Sequence, residues 1–129
     1  MKKTIVSVLV IVFVILLSGC QKIDIKPNVI DVQYENVRWE GSSIVVDVFI
    51  TNGYDRDKFI GYMEFALYFP DEQREFCGAG FDIEETFKAD SYIEYEIEFT
   101  SEFVFFTQSD LDAEDITLDD LVLIFYLEE

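Results

Sequence analysis

Apolar and polar residues alternate at every second position along much of the chain after residue 29, which is the pattern of β-strands. Two such runs, Ile30–Tyr34 and Ile44–Ile50, lie on either side of a turn at Gly41-Ser42, and together they predict a β-hairpin. The first run changes face at Glu35-Asn36, so a β-bulge is expected there. The second run ends at Asn52-Gly53, a dipeptide typical of turns.

The middle of the chain predicts three more short strands. The strand at Phe59–Phe69 carries its apolar side chains on one face, at Met63, Phe65, Leu67 and Phe69. After a turn at 70–73, short strands are expected at 74–77 and 81–87. We expect Gly78-Ala79-Gly80 to break the chain between them, because paired glycines weaken a strand interior.

The last third of the chain predicts two strands around an acidic segment. Ile93–Phe99 is the clearest amphipathic strand, with Glu94, Glu96 and Glu98 on its polar face. This row is either the solvated face of an outer strand or a docking stripe for a basic partner. Asp110–Asp115 predicts a helical turn or loop capped by Ser109 or Asp110. Leu121–Leu127 is apolar on both faces, so it is predicted to lie centrally in a sheet.

About seven short strands at regular spacing favour an all-β fold, a single antiparallel immunoglobulin-like β-sandwich spanning residues 29–129. Trp39 is expected in or near its core. A small barrel is the alternative. The length of the chain, 129 residues, allows one small domain after the N-terminal segment.

The N-terminal segment resembles the signal of bacterial lipoproteins. Met1-Lys2-Lys3 precedes an apolar run to Leu17, which has the length of a signal-peptide core and is short for a membrane-spanning helix. The segment ends Leu17-Ser18-Gly19-Cys20, which resembles the lipobox of that family. A simple membrane helix with a chance cysteine is the alternative.

The lipobox resemblance implies processing and a location. In that family diacylglycerol is attached to the cysteine thiol and the signal is cut before it, here at Cys20. Residues 1–19 are then a cleaved signal peptide, and residues 20–28 are the lipidated cysteine and a short tether. The domain is expected on the extracytoplasmic face of the cell membrane, held by its lipid anchor. A Gram-negative origin stays open, and Gln21 would then suggest sorting to the outer membrane.

Charge and composition exclude several functions. The net charge is −18, and removal of Lys2 and Lys3 with the signal makes it about −20, so nucleic acid is not an expected partner. The chain has no histidine, which excludes Ser-His and Cys-His nucleophile pairs and histidine-ligated metals. Cys77 is left without a partner once Cys20 carries lipid, and we expect it to be a buried apolar side chain.

A second resemblance covers most of the domain. The stretch from Trp39 to Gly53, WEGSSIVVDVFITNG, is similar to the opening of SLAP-type and related small surface domains of Gram-positive bacteria, although Thr51 stands where that family typically has arginine. The likeness continues through Ile93–Phe99 to the closing apolar strand. It implies an immunoglobulin-like fold and a Gram-positive envelope setting, and it implies no catalytic residues and no ligand.

Acidic loops supply the candidate metal ligands. Asp110-Leu111-Asp112-Ala113-Glu114-Asp115 places acids at positions one, three and five of an EF-hand-like loop, but Asp115 replaces the required glycine and Leu121 the final glutamate. A looser Ca²⁺ site there, or at Asp55 and Asp57, is an alternative to plain solvated loops. No other cofactor is expected.

The function expected from these features is non-catalytic: an envelope-associated or interaction module with a protein or cell-wall partner. The alternatives are a Ca²⁺-binding surface domain and a small hydrolase that uses paired carboxylates. Aromatic side chains at Tyr54, Tyr62, Tyr68 and Tyr92 are either a binding face for sugar or protein or covers for the ends of the sheets.

Intact-mass measurement of the membrane fraction tests the anchor. We expect a mature chain that begins at Cys20 and carries the added mass of diacylglycerol, and we expect the Cys20→Ala variant to lack that mass. A wild-type chain that retains Met1 to Gly19 without lipid would contradict the prediction and support a membrane helix instead.

Overall fold

Two antiparallel sheets form the fold in the computed structural model, which describes residues 7–8 and 23–128. The strands are β1 (Ser7–Val8), β2 (Ile30–Glu40), β3 (Ser43–Asn52), β4 (Lys58–Tyr68), β5 (Glu75–Phe87), β6 (Ser91–Phe99) and β7 (Val122–Glu128). One α-helix, α1 (Gln108–Ala113), and two 3₁₀ helices, Ser101–Phe103 and Leu118–Asp120, lie between β6 and β7.

The first sheet has the order β1-β6-β3-β2 and the second has the order β5-β4-β7. β3, β4 and β6 are therefore internal strands, and β1, β2, β5 and β7 are edges. Within residues 23–128 alone, which exclude the two-residue β1, β6 is an outer strand as well. The predicted all-β, antiparallel character of the chain is confirmed. Among the described residues, no helix has the length and apolar character needed to cross a membrane.

The hairpins define two ends of the domain. The turn at Gly41-Ser42, where Gly41 has a φ of 65°, joins β2 to β3 at the end that we call the distal pole. Residues 23–29 lie at the opposite end, the tether pole, because Ile30 pairs with Asn52. β4 runs from the tether pole to the distal pole, and β7 returns antiparallel beside it.

The core is formed by the facing sides of the two sheets. β3 contributes Ile44, Val46, Val48 and Ile50, and β4 contributes Met63, Phe65 and Leu67, as the alternation predicted. Phe76, Phe81, Phe87, Tyr95, Ile97 and Phe99 complete the fully enclosed part. Trp39 is half-buried against this cluster, and its ring meets that of Phe76 edge-on with centroids 6.0 Å apart.

The bulge expected in β2 is confirmed. The pairing of β2 with β3 shifts register between Glu35 and Arg38, and Asn36 has a φ of 59°. An asparagine adopts this left-handed conformation more readily than most residues. The side-chain amide of Asn36 also donates a hydrogen bond to Asp47 on β3, with nitrogen and oxygen 3.1 Å apart.

Three sequence predictions were wrong. Gly78-Ala79-Gly80 does not break the chain but lies inside β5, so residues 23–128 form six strands where seven were expected. β7 is an edge strand rather than a central one. The cap of α1 is Thr107, because its hydroxyl accepts from the backbone N–H of Asp110 while the Asp110 carboxylate accepts from that of Thr107.

A buried asparagine fixes the tether pole. The side-chain amide of Asn52 donates to the carbonyls of Arg56, Phe87 and Lys88 at 2.9–3.1 Å, and its oxygen accepts from the N–H of Tyr54 at 2.9 Å. This fully enclosed side chain therefore ties the loop after β3 to the end of β5. The Asn-Gly pair predicted only as a turn is a junction between the two sheets.

Gly53 serves the same junction by its lack of a side chain. A Cβ at this position would collide with the carbonyl of Lys26. The backbone N–H of Asn28 also donates to the carbonyl of Gly53 at 2.8 Å, and Lys26 forms an ion pair with Asp31 at 3.2 Å. Residues 24–28, predicted to be part of the tether, are thus attached to the sheet.

We expect Asn52→Ala to lower the free energy of unfolding by about 3 kcal/mol. The change removes all four contacts of the buried amide, including the one to the buried carbonyl of Phe87. Urea denaturation monitored by circular dichroism measures the effect. Gln73→Ala, at an exposed turn, is the matched control and should change stability by less than about 0.5 kcal/mol. Equal midpoints for the two variants would contradict the role of Asn52.

Candidate functional site

A groove of about 410 Å³ runs across the outer face of the second sheet, on the side away from the core. We call it the outer groove. Its floor is formed by Ala66 on β4 and by Gly78 and Gly80 on β5, and its walls are the larger side chains around them. Since Ala66 pairs with Gly78 and Glu64 pairs with Gly80, the small residues form one continuous strip across two strands.

Side chains lie across both glycines of the floor. A Cβ on Gly78 would collide with the carboxylate of Glu75, and a Cβ on Gly80 would collide with the hydroxyl of Tyr62. Glycine in a strand interior costs stability and often marks a close approach. Here the lack of a side chain at Gly78 and Gly80 leaves room for the side chains of Glu75 and Tyr62 close to the sheet.

The walls of the outer groove combine aromatic, aliphatic and acidic side chains. Tyr68 lies on β4, and Ile124 and Tyr126 lie on β7. Ile124 and Tyr126 are 41% and 62% exposed, which is high for large side chains at the centre of a strand. The hydroxyl of Tyr62 donates to the carboxylate of Glu64 at 3.3 Å, so this glutamate is oriented along the groove.

The electrostatics of the outer groove are wholly acidic. Glu64 and Glu75 line it, and none of its lining residues is basic. Arg74, adjacent to Glu75 in sequence, is instead held by Asp71 at 2.9 Å and by Glu114 at 2.7 Å. Two carboxylates in a groove that also contains tyrosine rings favour the binding of an ammonium or guanidinium group. Such a group is attracted both by the negative charge and by the face of the aromatic ring.

A second, apolar hollow of about 460 Å³ lies at the distal pole. Trp39, Val104 and Phe106 line it together with the Gly41-Ser42 turn. The indole N–H of Trp39 donates to the side-chain oxygen of Gln108 at 2.8 Å, which fixes the ring at the rim. No titratable side chain lines this hollow, so it offers shape and apolar surface but no charge for recognition.

The predicted metal ligands on α1 already have protein partners. Asp110 accepts from Thr107 as part of the helix cap. Asp112 accepts from the side-chain amide of Gln108 at 2.8 Å. The carboxylate of Glu114 accepts hydrogen bonds from both terminal guanidinium nitrogens of Arg74. This contact lowers the pKa of the Glu114 carboxyl. Asp115 follows the helix with a φ of 57°.

The other two candidate metal ligands, Asp55 and Asp57, also belong to no group of side chains among the described residues that could hold a metal ion. Asp55 lies 3.7 Å from the guanidinium of Arg56, and Asp57 accepts from the backbone N–H of Ala89 at 3.0 Å. Residues 7–8 and 23–128 bring together no group of three or more side chains able to hold a metal ion. The Ca²⁺ alternative stays a prediction, and the geometry adds no support to it.

The acidic row of β6 faces outward beside a single arginine. Arg38 contacts Glu96 and forms an ion pair with Asp47 at 3.2 Å. Partial burial raises the pKa of Glu94, and the nearby charges of Asp47, Glu35 and Glu96 raise it further. This row is therefore partly neutralised within the domain, whereas the outer groove carries no basic group.

The sequence found one of the groove residues, Tyr68, which lines the outer groove. The ring of Tyr62 lies next to the groove, over Gly80. Tyr54 lies under Lys58, with 4.5 Å from ammonium to ring centroid, and Tyr92 packs on Phe49 in the first sheet. Tyr126, Ile124 and the glycine floor were missed. Two glycines alternating inside an apolar strand were the available signal, and they were interpreted as a break in the chain.

Cys77 is enclosed in the core, which confirms the prediction of a buried apolar side chain. Burial raises the pKa of its thiol well above the usual range, and the charge of Glu75 adds to the shift. Cys20, the predicted lipidation site, lies outside the described residues.

No family model matches the chain, and neither a curated protein nor a solved structure gives a match. The resemblances to lipoprotein signals and to SLAP-type domains therefore stay predictions.

We expect Cys77 to be unreactive toward a disulfide reagent such as Ellman's reagent in the native state, even at pH 9. The raised pKa keeps the thiol protonated there, and enclosure blocks access. In the Cys20→Ala variant, in which Cys77 is the one remaining cysteine, addition of denaturant should release one reactive thiol per chain. Rapid reaction of this variant in its native state at pH 7 would contradict the enclosure of Cys77.

Proposed function

We propose that the chain is a membrane-anchored extracytoplasmic lipoprotein whose β-domain is a non-catalytic binding module, with the outer groove as its binding surface. The observation that carries this proposal is the groove itself. Its floor consists of small residues, its walls include exposed Ile124 and Tyr126, and its charges are two carboxylates without a basic neighbour in the lining. Exposed apolar side chains around a concave surface are typical of interaction sites.

The fold that we propose for the module is an immunoglobulin-like sandwich. In such folds strands A, B and E form one sheet, and strands C′, C and F lie in the other. The order β2-β3-β6 corresponds to A, B and E, and the order β5-β4-β7 corresponds to C′, C and F. Strands D and G of the full arrangement have no counterpart among residues 23–128.

The attachment of residues 24–28 to β2 and β3 supports a domain held close to the membrane. If Cys20 carries lipid, only about four residues separate it from the attached segment, and these span about 14 Å when extended. The outer groove occupies the half of β4 from Glu64 to Tyr68, toward the distal pole. A tethered domain of this geometry presents its groove away from the bilayer.

The ligand that the groove fits is a basic polypeptide segment. Lysine and arginine side chains would contact the tyrosine rings with their apolar stems and charged heads and pair with Glu64 and Glu75. The overall charge of −18 would attract such a partner from solution and increase its rate of association. A bound lysine or arginine also needs no chemistry from the domain, in keeping with a non-catalytic role.

Fluorescence anisotropy with a labelled octapeptide of alternating lysine and valine tests this proposal. We expect Glu64→Gln combined with Glu75→Gln to weaken binding about tenfold, because two solvent-screened ion pairs are together worth about 1–2 kcal/mol. Tyr126→Ala should weaken it by a smaller factor. The affinity of the wild type should fall as salt is raised.

Glu94→Gln combined with Glu98→Gln is the matched control, since it removes the same charge from the outer face of the other sheet. This control should bind the peptide nearly as well as the wild type. Equal weakening by both double variants would show that affinity follows net charge alone. Binding of an uncharged oligosaccharide in place of the peptide would replace the proposed ligand class with sugar.

A further inference from the structure

The four outer strands of residues 23–128 differ in how their edges are protected against pairing with another strand. β2 has the bulge at Glu35–Arg38. β5 carries Asp82, Glu84 and Glu85, and Glu84 has a φ of 49°. β6 carries Glu94, Glu96 and Glu98. Charges and irregularities of this kind prevent edge-to-edge association.

β7 has none of these devices before its last residue, Glu128. Its residues from Val122 to Leu127, VLIFYL, include no charge, no proline and no bulge in their pairing with β4. One side of β7 is hydrogen-bonded to β4, and the described residues supply no strand to the other side. An uncharged, regular and apolar edge is the arrangement that accepts an added strand.

The core is also incomplete along this edge. The inward side chains of β7, namely Leu123, Phe125 and Leu127, are only half-buried, as are Val32 and Tyr34 on β2 across from them. At the opposite side of the sandwich, Phe81 on β5 and Ile97 on β6 are fully enclosed. The hydroxyl of Tyr34 donates to the carbonyl of Leu121 at 3.1 Å, which closes only the distal end of the seam.

We propose that the free edge of β7 accepts an extended segment of a basic partner protein as an additional strand. The segment would take the position of strand G in an immunoglobulin sandwich. Its inward side chains would be apolar and would cover Phe125 and Leu127. Its outward side chains would be lysine or arginine, close to Tyr126 and Glu64. The edge requires only an apolar strand, and the basic character of the segment rests on the function proposed for the outer groove.

A second copy of the chain on the same membrane fits this edge poorly. Pairing of two β7 strands by a two-fold axis is antiparallel, which points the tether poles of the two copies in opposite directions. The strands are long, and β4 with its eleven residues spans about 36 Å. A short tether of about 14 Å cannot compensate for that separation, so a separate partner polypeptide is the occupant that the geometry favours.

Backbone N-methylation of the probe peptide tests the inference with the full-length chain in detergent micelles. In an added strand of alternating valine and lysine, all valine amides face one edge and all lysine amides face the other. We therefore expect one methylated isomer, with either its valine or its lysine amides blocked, to bind at least tenfold more weakly than the parent peptide. The other isomer should bind about as well as the parent.

Hydrogen exchange measured by mass spectrometry locates the pairing. The parent peptide should slow exchange at about half of the amides in Val122–Leu127 and leave those of β5 unchanged. Equal affinities of both isomers, or binding with no slowing in β7, would overturn the added strand while leaving the groove proposal standing. Slowing in β7 that grows with protein concentration in the absence of peptide would identify a second copy as the occupant instead. Failure of the parent peptide to bind would overturn both proposals.

Discussion

The narrowness of the two sheets is the constraint on which the other features depend. With β3 and β4 as the only central strands of residues 23–128, most of the backbone lies next to an edge, and each edge must be kept from pairing at random. Acidic residues on β5 and β6 and the bulge in β2 serve this purpose. The large negative charge of the chain is thus in part a consequence of its architecture. Against this background β7, which is uncharged from Val122 to Leu127, differs from the other outer strands of residues 23–128.

The tether pole shows how the two sheets are joined without a disulfide among residues 23–128. Cys77 is the free cysteine of the described residues, so no cross-link joins the sheets there. Asn52 takes that role by joining the loop after β3 to the end of β5 through four hydrogen bonds. Gly53 lets the backbone of Lys26 lie directly on the sheet. The segment that leads to the predicted anchor is therefore part of the folded domain, and tension on the anchor would act on the buried junction at Asn52.

The alternation of apolar and polar residues predicted the strands β3 and β4 correctly. In the rest of the second sheet it gave wrong predictions, at the glycines of β5 and for the position of β7. β3 and β4 bury one face in the common core, so residues such as Val46 and Phe65 reveal their orientation by period alone. The pattern failed at Gly78 and Gly80 because the reason for these glycines lies across the sheet, in Tyr62 and Glu75. It failed at β7 because an apolar outer face normally means burial, whereas Ile124 and Tyr126 remain exposed. Both failures occur at the outer groove, where a surface is shaped for something other than the fold.

The two features of β7, its exposed outer face and its free edge, have a common physical origin. A strand next to a groove must present side chains that a ligand can contact, and a strand at an edge must leave its backbone groups accessible. Acidic residues on β7 would protect the edge but would add repulsion to Glu64 and Glu75 at the groove. Most acidic residues of the outer strands lie instead on β5 and β6, where they repel further copies of the same domain, and β7 carries only Glu128, at its end. In the binding mode proposed above, a basic segment would be attracted by the same negative charge that repels a second copy of the domain.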